Sequence, residues 1–114
     1  MKIYLDDERQ TPHGYTRTYS VAETIELIKQ NDGNVEVISL DNDLGAGHEE
    51  GYKVLDWIEK QAFNNTIQPI LHILIHTANP SAEDRMMKAR FNAWKYWREH
   101  GYSRSDLYEK EYTD

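Results

Sequence analysis

The sequence predicts an α/β domain built on a mostly parallel sheet of about four strands with crossover helices. Three observations lead there. Short β-prone runs and longer segments of helical periodicity succeed one another in the order β, β-α, β-α, β-α. Residues 70–75 are apolar on both alternating faces apart from His72, the pattern of a strand buried by helices on both sides. The helical segments also carry start and stop residues where the periodicity begins and ends.

Residues 2–6 form the first predicted strand, and residues 8–14, with Pro12 and Gly14, a loop. Residues 15–19 alternate Tyr, Thr, Arg, Thr, Tyr and suit a half-exposed edge strand. Ser20 followed by Glu23 is a capping-box pattern, so a helix starts there, with Val21, Ile25 and Ile28 as its buried stripe and Leu27 beside it. Asn31-Asp32-Gly33-Asn34 stops it. Residues 35–40 are the next strand and the Gly-rich residues 41–50 a loop. Residues 51–63 are a helix burying Leu55, Ile58 and Ala62. After the strand at 70–75, Asn79-Pro80 pairs an N-cap with a first-turn proline, and that helix runs to about His100, where Gly101 closes it. Met86, Met87, Phe91, Trp94 and Trp97 give it a broad apolar arc. Residues 1–101 thus read as the domain, and residues 102–114 as a polar tail without an assigned element. An apolar edge at residues 70–75 calls for a cover, from this tail or from a second copy of the chain in a homodimer.

A chain of 114 residues suits one domain with an adequate core. Without cysteine it has no disulfide, thiolate metal site or cysteine nucleophile, which fits a reducing, cytoplasmic setting. No apolar stretch approaches a membrane span. The net charge of −7 falls wholly on residues 1–60, which argues against binding along a nucleic-acid backbone but not against recognition of one phosphate through a cation. Arg85, Lys88, Arg90, Lys95 and Arg98 form a basic strip on the last helix, read first as a solvated face.

The chemistry gathers at strand ends. Asp6-Asp7-Glu8, Asp41-Asn42-Asp43 and His76-Thr77-Ala78-Asn79 each come at the end of a predicted strand. In an open parallel sheet, ligands bind outside the carboxyl ends of the strands. Asp and Asn also form ordinary turns there, so any one of these ends alone reads as a turn. Together they point to a site. Two carboxylates ~4 Å apart repel by roughly 4 kcal/mol at an effective dielectric of about 20, so such a cluster spreads, holds a proton or takes a cation. Hard oxygen ligands suit a divalent cation: magnesium first, with manganese and calcium as alternatives.

Several of these segments resemble response-regulator receiver domains. Ile3-Tyr4-Leu5-Asp6-Asp7-Glu8 is similar to their first strand and acidic pair, Val37-Ile38-Ser39-Leu40-Asp41 to their phospho-acceptor strand, and Ile73-Leu74-Ile75-His76-Thr77-Ala78 to the strand carrying their hydroxyl residue. Three signatures resemble more closely the cyclic-phosphate-processing receiver domains: Leu5-Asp6-Asp7-Glu8-Arg9, Ser39-Leu40-Asp41-Asn42-Asp43-Leu44-Gly45 and His76-Thr77-Ala78-Asn79-Pro80. The resemblance implies a shortened flavodoxin-like, receiver-like fold and a bacterial or phage setting in polynucleotide repair and processing. It implies Asp6 and Asp7 as the metal-binding pair. Asp41 takes the phospho-acceptor position, with Asp43 competing for it. Thr77 contacts a phosphoryl oxygen, and His76 and Asn79 contact ligand phosphate or base. Two departures from ordinary receivers stand out: residues 9–14 are too few for the first helix, and no fifth strand brings a lysine. Arg85 or Lys88 is the expected substitute cation.

The leading expectation is a metal-dependent module, using Asp6, Asp7 and Asp41, that recognises a phosphate-bearing nucleotide such as a cyclic-phosphate RNA end. Thr77, Asn79, His76 and Asp43 would serve the phosphate, and RNA-processing proteins would be partners. The alternative is a metal-dependent phosphodiesterase or phosphatase in which Asp41 and His76 are catalytic. A conventional phospho-acceptor domain comes third.

Overall fold

The computed structural model describes residues 1–103. Their elements, in chain order, are β1 (Lys2–Leu5), β2 (Thr16–Thr18), α1 (Val21–Gln30), β3 (Val37–Leu40), α2 (Tyr52–Asn64), β4 (His72–Ile75) and α3 (Pro80–Glu99). The strands lie in the order β2-β1-β3-β4, and every pairing is parallel. The fold is thus the expected α/β receiver-like arrangement, with strands one or two residues shorter than the β-prone runs that code for them.

Register explains the core. Ile3, Ile38 and Ile73 form one row across the sheet, and Leu5, Leu40 and Ile75 another. Two residues apart, the rows project from the same face. There they pack with Val21 and Ile28 of α1, Leu55 and Ile58 of α2, and Met86 and Trp97 of α3. The crossovers β2-α1-β3 and β3-α2-β4 step the same way across the sheet, so right-handed connections leave both helices on one side. Tyr4, Val37, Ser39 and Leu74 project from the opposite face and join no part of that cluster.

One expectation needs correction here. β4 is an edge strand whose Leu74 and Ile75 are only half-buried, rather than a strand enclosed on both sides. A right-handed β1-to-β2 crossover would step the other way and put a helix on the second face. Residues 6–15 make that connection without one. β4 is apolar because α3 lies against it, where the half-buried Arg90 donates from Nη1 to the Ile73 carbonyl at 2.9 Å.

Local signals behave largely as read. Ser20 Oγ accepts from the Glu23 N–H at 3.2 Å, although the Glu23 carboxylate meets the Ser20 hydroxyl, so half of the capping box forms. The buried stripe of α1 runs through Val21, Thr24 and Ile28, with Ile25 only partly buried. Thr24 belongs inside because its hydroxyl bonds Thr18 Oγ1 at 2.8 Å and the Ser20 carbonyl at 2.9 Å. Asn79 Oδ1 caps α3 through the Ala82 N–H at 3.1 Å, Pro80 comes next, and Gly101 turns the chain away at φ +99°. Of the apolar arc, Met86, Trp94 and Trp97 are buried while Met87 and Phe91 are exposed. No helix among the described residues is long and apolar enough to cross a membrane. Of the tail, Tyr102 packs against the core, and the expectation that the tail covers a sheet edge otherwise concerns residues outside those described.

Candidate functional site

The apolar row Leu5–Leu40–Ile75 gives way, one residue along each strand, to Asp6, Asp41 and His76. The ladder carries on through them: Asp41 N–H donates to Leu5 O and His76 N–H to Leu40 O, both at 3.0 Å. Two acids and an imidazole are therefore set side by side by the same parallel register that aligns the core. β1 has β2 on one side and β3 on the other, so the row sits where the strand order reverses.

Asp6 is fully buried and fully engaged. Its Oδ1 accepts from the backbone N–H groups of Glu8 and Arg9 at 2.8 and 3.0 Å, and its Oδ2 from Arg9 Nη1 at 2.8 Å and His76 Nε2 at 2.9 Å. Burial by itself would raise the carboxyl's pKa. The donors from Glu8, Arg9 and His76 overturn that effect and hold it well below the usual carboxylate range.

His76 is held on three sides. Its ring stacks on Tyr4 with centroids 4.6 Å apart, Nε2 faces Asp6, and Nδ1 lies 2.7 Å from Ser39 Oγ. Burial lowers its pKa against the pull of Asp6. The neutral ring, with the proton on Nε2 and Nδ1 accepting from Ser39, satisfies both contacts.

Asp41 has the opposite balance. It is 5% exposed and has one close donor, the Asn42 N–H at 2.8 Å on Oδ1. Burial raises its pKa; the Asn42 N–H opposes this and the charge of Asp6 adds to it. The loop after it is fastened to α2: Asn42 Oδ1 accepts from the Tyr52 N–H at 3.0 Å, and the Asn42 carbonyl from the Gly51 N–H at 2.7 Å. A Cβ on Gly51 would stand 1.8 Å from the Asp41 carbonyl oxygen, so only glycine lets α2 start against this strand end.

Asp7 completes the cluster. One oxygen each from Asp6, Asp7 and Asp41 lie within 4.8 Å of one another. They open on a cleft of about 380 Å³ whose lining also includes Asp43, Gly45 and Ala78. A positive charge already stands among the acids. Arg9 Nη1, besides its bond to Asp6, lies 3.6 Å from Asp41 Oδ2. The three carboxylates are a donor set that could hold a hard cation.

The profile described as "Cyclic-phosphate processing Receiver domain" matches residues 1–91. The chain belongs to this family. No curated protein and no solved structure gives a significant match. This cyclic-phosphate processing receiver domain therefore gathers its acidic strand ends in one cleft, although its first connection carries no helix.

The other residues singled out in the sequence take varied positions. Asp43 is exposed and lines the cleft. Thr77 Oγ1 accepts from the Asn79 N–H at 3.2 Å, while Asn79 Oδ1 is spent on the α3 cap. Arg85 and Lys88 do not supply the expected cation. Arg85 pairs with Asp56 at 3.0 Å and lies over the Tyr52 ring, and Lys88 pairs with Asp84 at 3.0 Å. Both side chains are taken up by these pairs on α2 and α3, and neither lines the cleft.

Two arginines do what sequence reading did not assign. Arg9 is the cation lining the cleft among the described residues. Arg17 replaces the missing helix as the support of residues 6–11. Its guanidinium donates to the Asp6 carbonyl at 2.8 Å, to the Arg9 carbonyl and to Thr11 Oγ1 at 2.9 Å, and lies over the Tyr4 and Tyr19 rings. The Arg after an acidic run, and the central Arg of a Tyr-Thr-Arg-Thr-Tyr strand, were the available signals.

Proposed function

We propose that this domain is a metal-dependent binding module for a phosphate-bearing nucleotide, with a cyclic-phosphate RNA end as the ligand class and RNA or polynucleotide processing as the setting. The observation that carries the reading is the convergence of Asp6, Asp7 and Asp41 within 4.8 Å at the strand-order reversal. Asp6, Asp7 and Asp41 would hold a divalent cation, magnesium first with manganese or calcium as alternatives, which when bound supplies the charge that attracts a phosphate oxygen. An anion needs such help, because five acids and one arginine line the cleft. Thr77 would donate its hydroxyl to the phosphate, and Asp43, exposed in the cleft lining, would contact the ligand. Ordering of residues 43–50 over the ligand would pass the signal to RNA-processing partners. The family's cyclic-phosphate association supports the ligand class.

Binding is favoured over hydrolysis by His76. Both ring nitrogens already bond Ser39 and Asp6, so neither is directed at a substrate proton. Phospho-acceptor signalling is disfavoured because α3 comes directly after β4, with no lysine-bearing fifth strand among the described residues. The test is thermal stabilisation by a 2′,3′-cyclic-phosphate dinucleotide, with and without magnesium, of wild type and Asp7→Asn. The reading expects stabilisation that needs both components and vanishes in the variant. Equal stabilisation without metal, or product formation from the dinucleotide, overturns it.

A further inference from the structure

We infer that Arg9 is a tethered counter-cation that must leave Asp6 and Asp41 when a divalent cation binds, and that the freed guanidinium then becomes a ligand for the phosphate. The inference rests on the cation-site reading above and adds a coupling between two ligands. Its basis is a count of lone pairs. A carboxylate offers about four acceptor positions. Those of Asp6 are taken by two backbone N–H groups, His76 and Arg9. The backbone donors belong to the turn itself. His76 is held in place by Ser39 and the Tyr4 ring. Only the Arg9 side chain, 48% exposed, can withdraw without disturbing the fold.

Arg9 also stands 3.6 Å from Oδ2 of Asp41, the second carboxylate that a shared cation would use. Guanidinium and metal repel one another and would compete for the carboxylates of Asp6 and Asp41. Metal binding therefore entails displacement. The backbone N–H of Arg9 remains bonded to Asp6, so the side chain swings from a fixed root and stays at the mouth of the cleft. Arg9 is the cation among the described lining residues, and a guanidinium presents paired N–H groups to phosphate oxygens. A cyclic phosphate is a diester with a single negative charge, which one guanidinium matches. Metal and phosphate should then bind with positive cooperativity through this residue.

The experiment is a manganese titration monitored by the signal of free Mn²⁺, on wild type, Arg9→Gln and Arg9→Lys, each with and without inorganic phosphate. Removing the competing charge should tighten Mn²⁺ binding by about tenfold in Arg9→Gln, equivalent to about 1.4 kcal/mol. Arg9→Lys, which keeps the charge, should stay near wild type. Phosphate should tighten Mn²⁺ binding several-fold in wild type and hardly at all in Arg9→Gln. Unchanged or weaker Mn²⁺ binding by Arg9→Gln, with wild type binding normally, overturns the competition and leaves the metal site standing. Phosphate coupling that survives in Arg9→Gln overturns the phosphate role. If neither protein takes up Mn²⁺, the site reading and the inference fall together.

Discussion

Asp6 and Asp41 stand in one register, both buried, at the ends of adjacent strands. Yet one carboxyl is pushed down in pKa and the other up. The difference lies in the path of the chain beyond each strand. After β1 the chain turns sharply, so that two N–H groups, an arginine and a histidine converge on Asp6. After β3 the chain is drawn off towards α2 by Asn42 and Gly51, and Asp41 keeps a single close donor. Burial disfavours a charge at both ends; hydrogen bonds decide whether it is stabilised. Asp6 is thus an anchored anion that organises its turn, and Asp41 an under-satisfied one with room for a ligand.

Breaking the anchored side should cost most. Asp6→Asn replaces an acceptor-only group by one whose amide hydrogens face other donors. Urea unfolding should show a loss of about 3 kcal/mol, in the range for disrupting a buried, hydrogen-bonded charge. A smaller loss should come on the other side from Gly51→Ala, about 2 kcal/mol by the cost of overpacking, because the new methyl must move the Asp41 carbonyl.

Asp41→Asn should behave in the opposite sense. Without metal at pH 7 it should be slightly more stable than wild type, by up to about 1 kcal/mol, since it removes a disfavoured charge. The folded-state pKa of Asp41 is raised, so the folded protein binds its proton more tightly than the unfolded chain does. Wild type therefore gains on the variant as pH falls through that raised pKa. The gap should close by about pH 4, near the unfolded carboxyl value. Asp6 contributes the reverse slope, its stabilisation being present above the unfolded carboxyl value and lost as pH falls from there towards its depressed folded pKa. Urea midpoints at pH 7, 6, 5 and 4 would separate the two; a gap that widens on acidification contradicts the contrast.

The smallest effect should come from Arg85→Ala and Lys88→Ala. Their exposed ion pairs are worth about 0.5 kcal/mol or less, and neither change should alter Mn²⁺ affinity. A clear loss of metal or phosphate binding in either would place the working cation on α3 after all.

How far the sequence foretold this arrangement depends on the range of the interactions. Ser20, Asn79, Pro80 and Gly101 act within a few residues, and their signals located the helices. The acidic strand ends were legible because a parallel sheet aligns carboxyl termini once the strands are found. Arg9 and Arg17 were not. Arg9 matters through Asp41, which lies on another strand, and Arg17 through a loop whose path no local rule dictates. That no helix lies on the second face at β4 was missed for a similar reason: the connection between β1 and β2, legible as too short for a helix, lies far away in sequence. Thr24 read as polar, and only its bond to Thr18 makes it a core residue.

The central claim is that the under-satisfied end of this pair of strands takes a hard cation. Paramagnetic broadening by substoichiometric Mn²⁺ in amide ¹H–¹⁵N spectra tests it most directly. The account predicts loss of the Asp7, Asp41 and Asn42 signals first, while Gly33 and Gln68 at the opposite end of the sheet keep theirs. Broadening centred on Glu49 and Glu50, or spread evenly over the acidic surface, would contradict it.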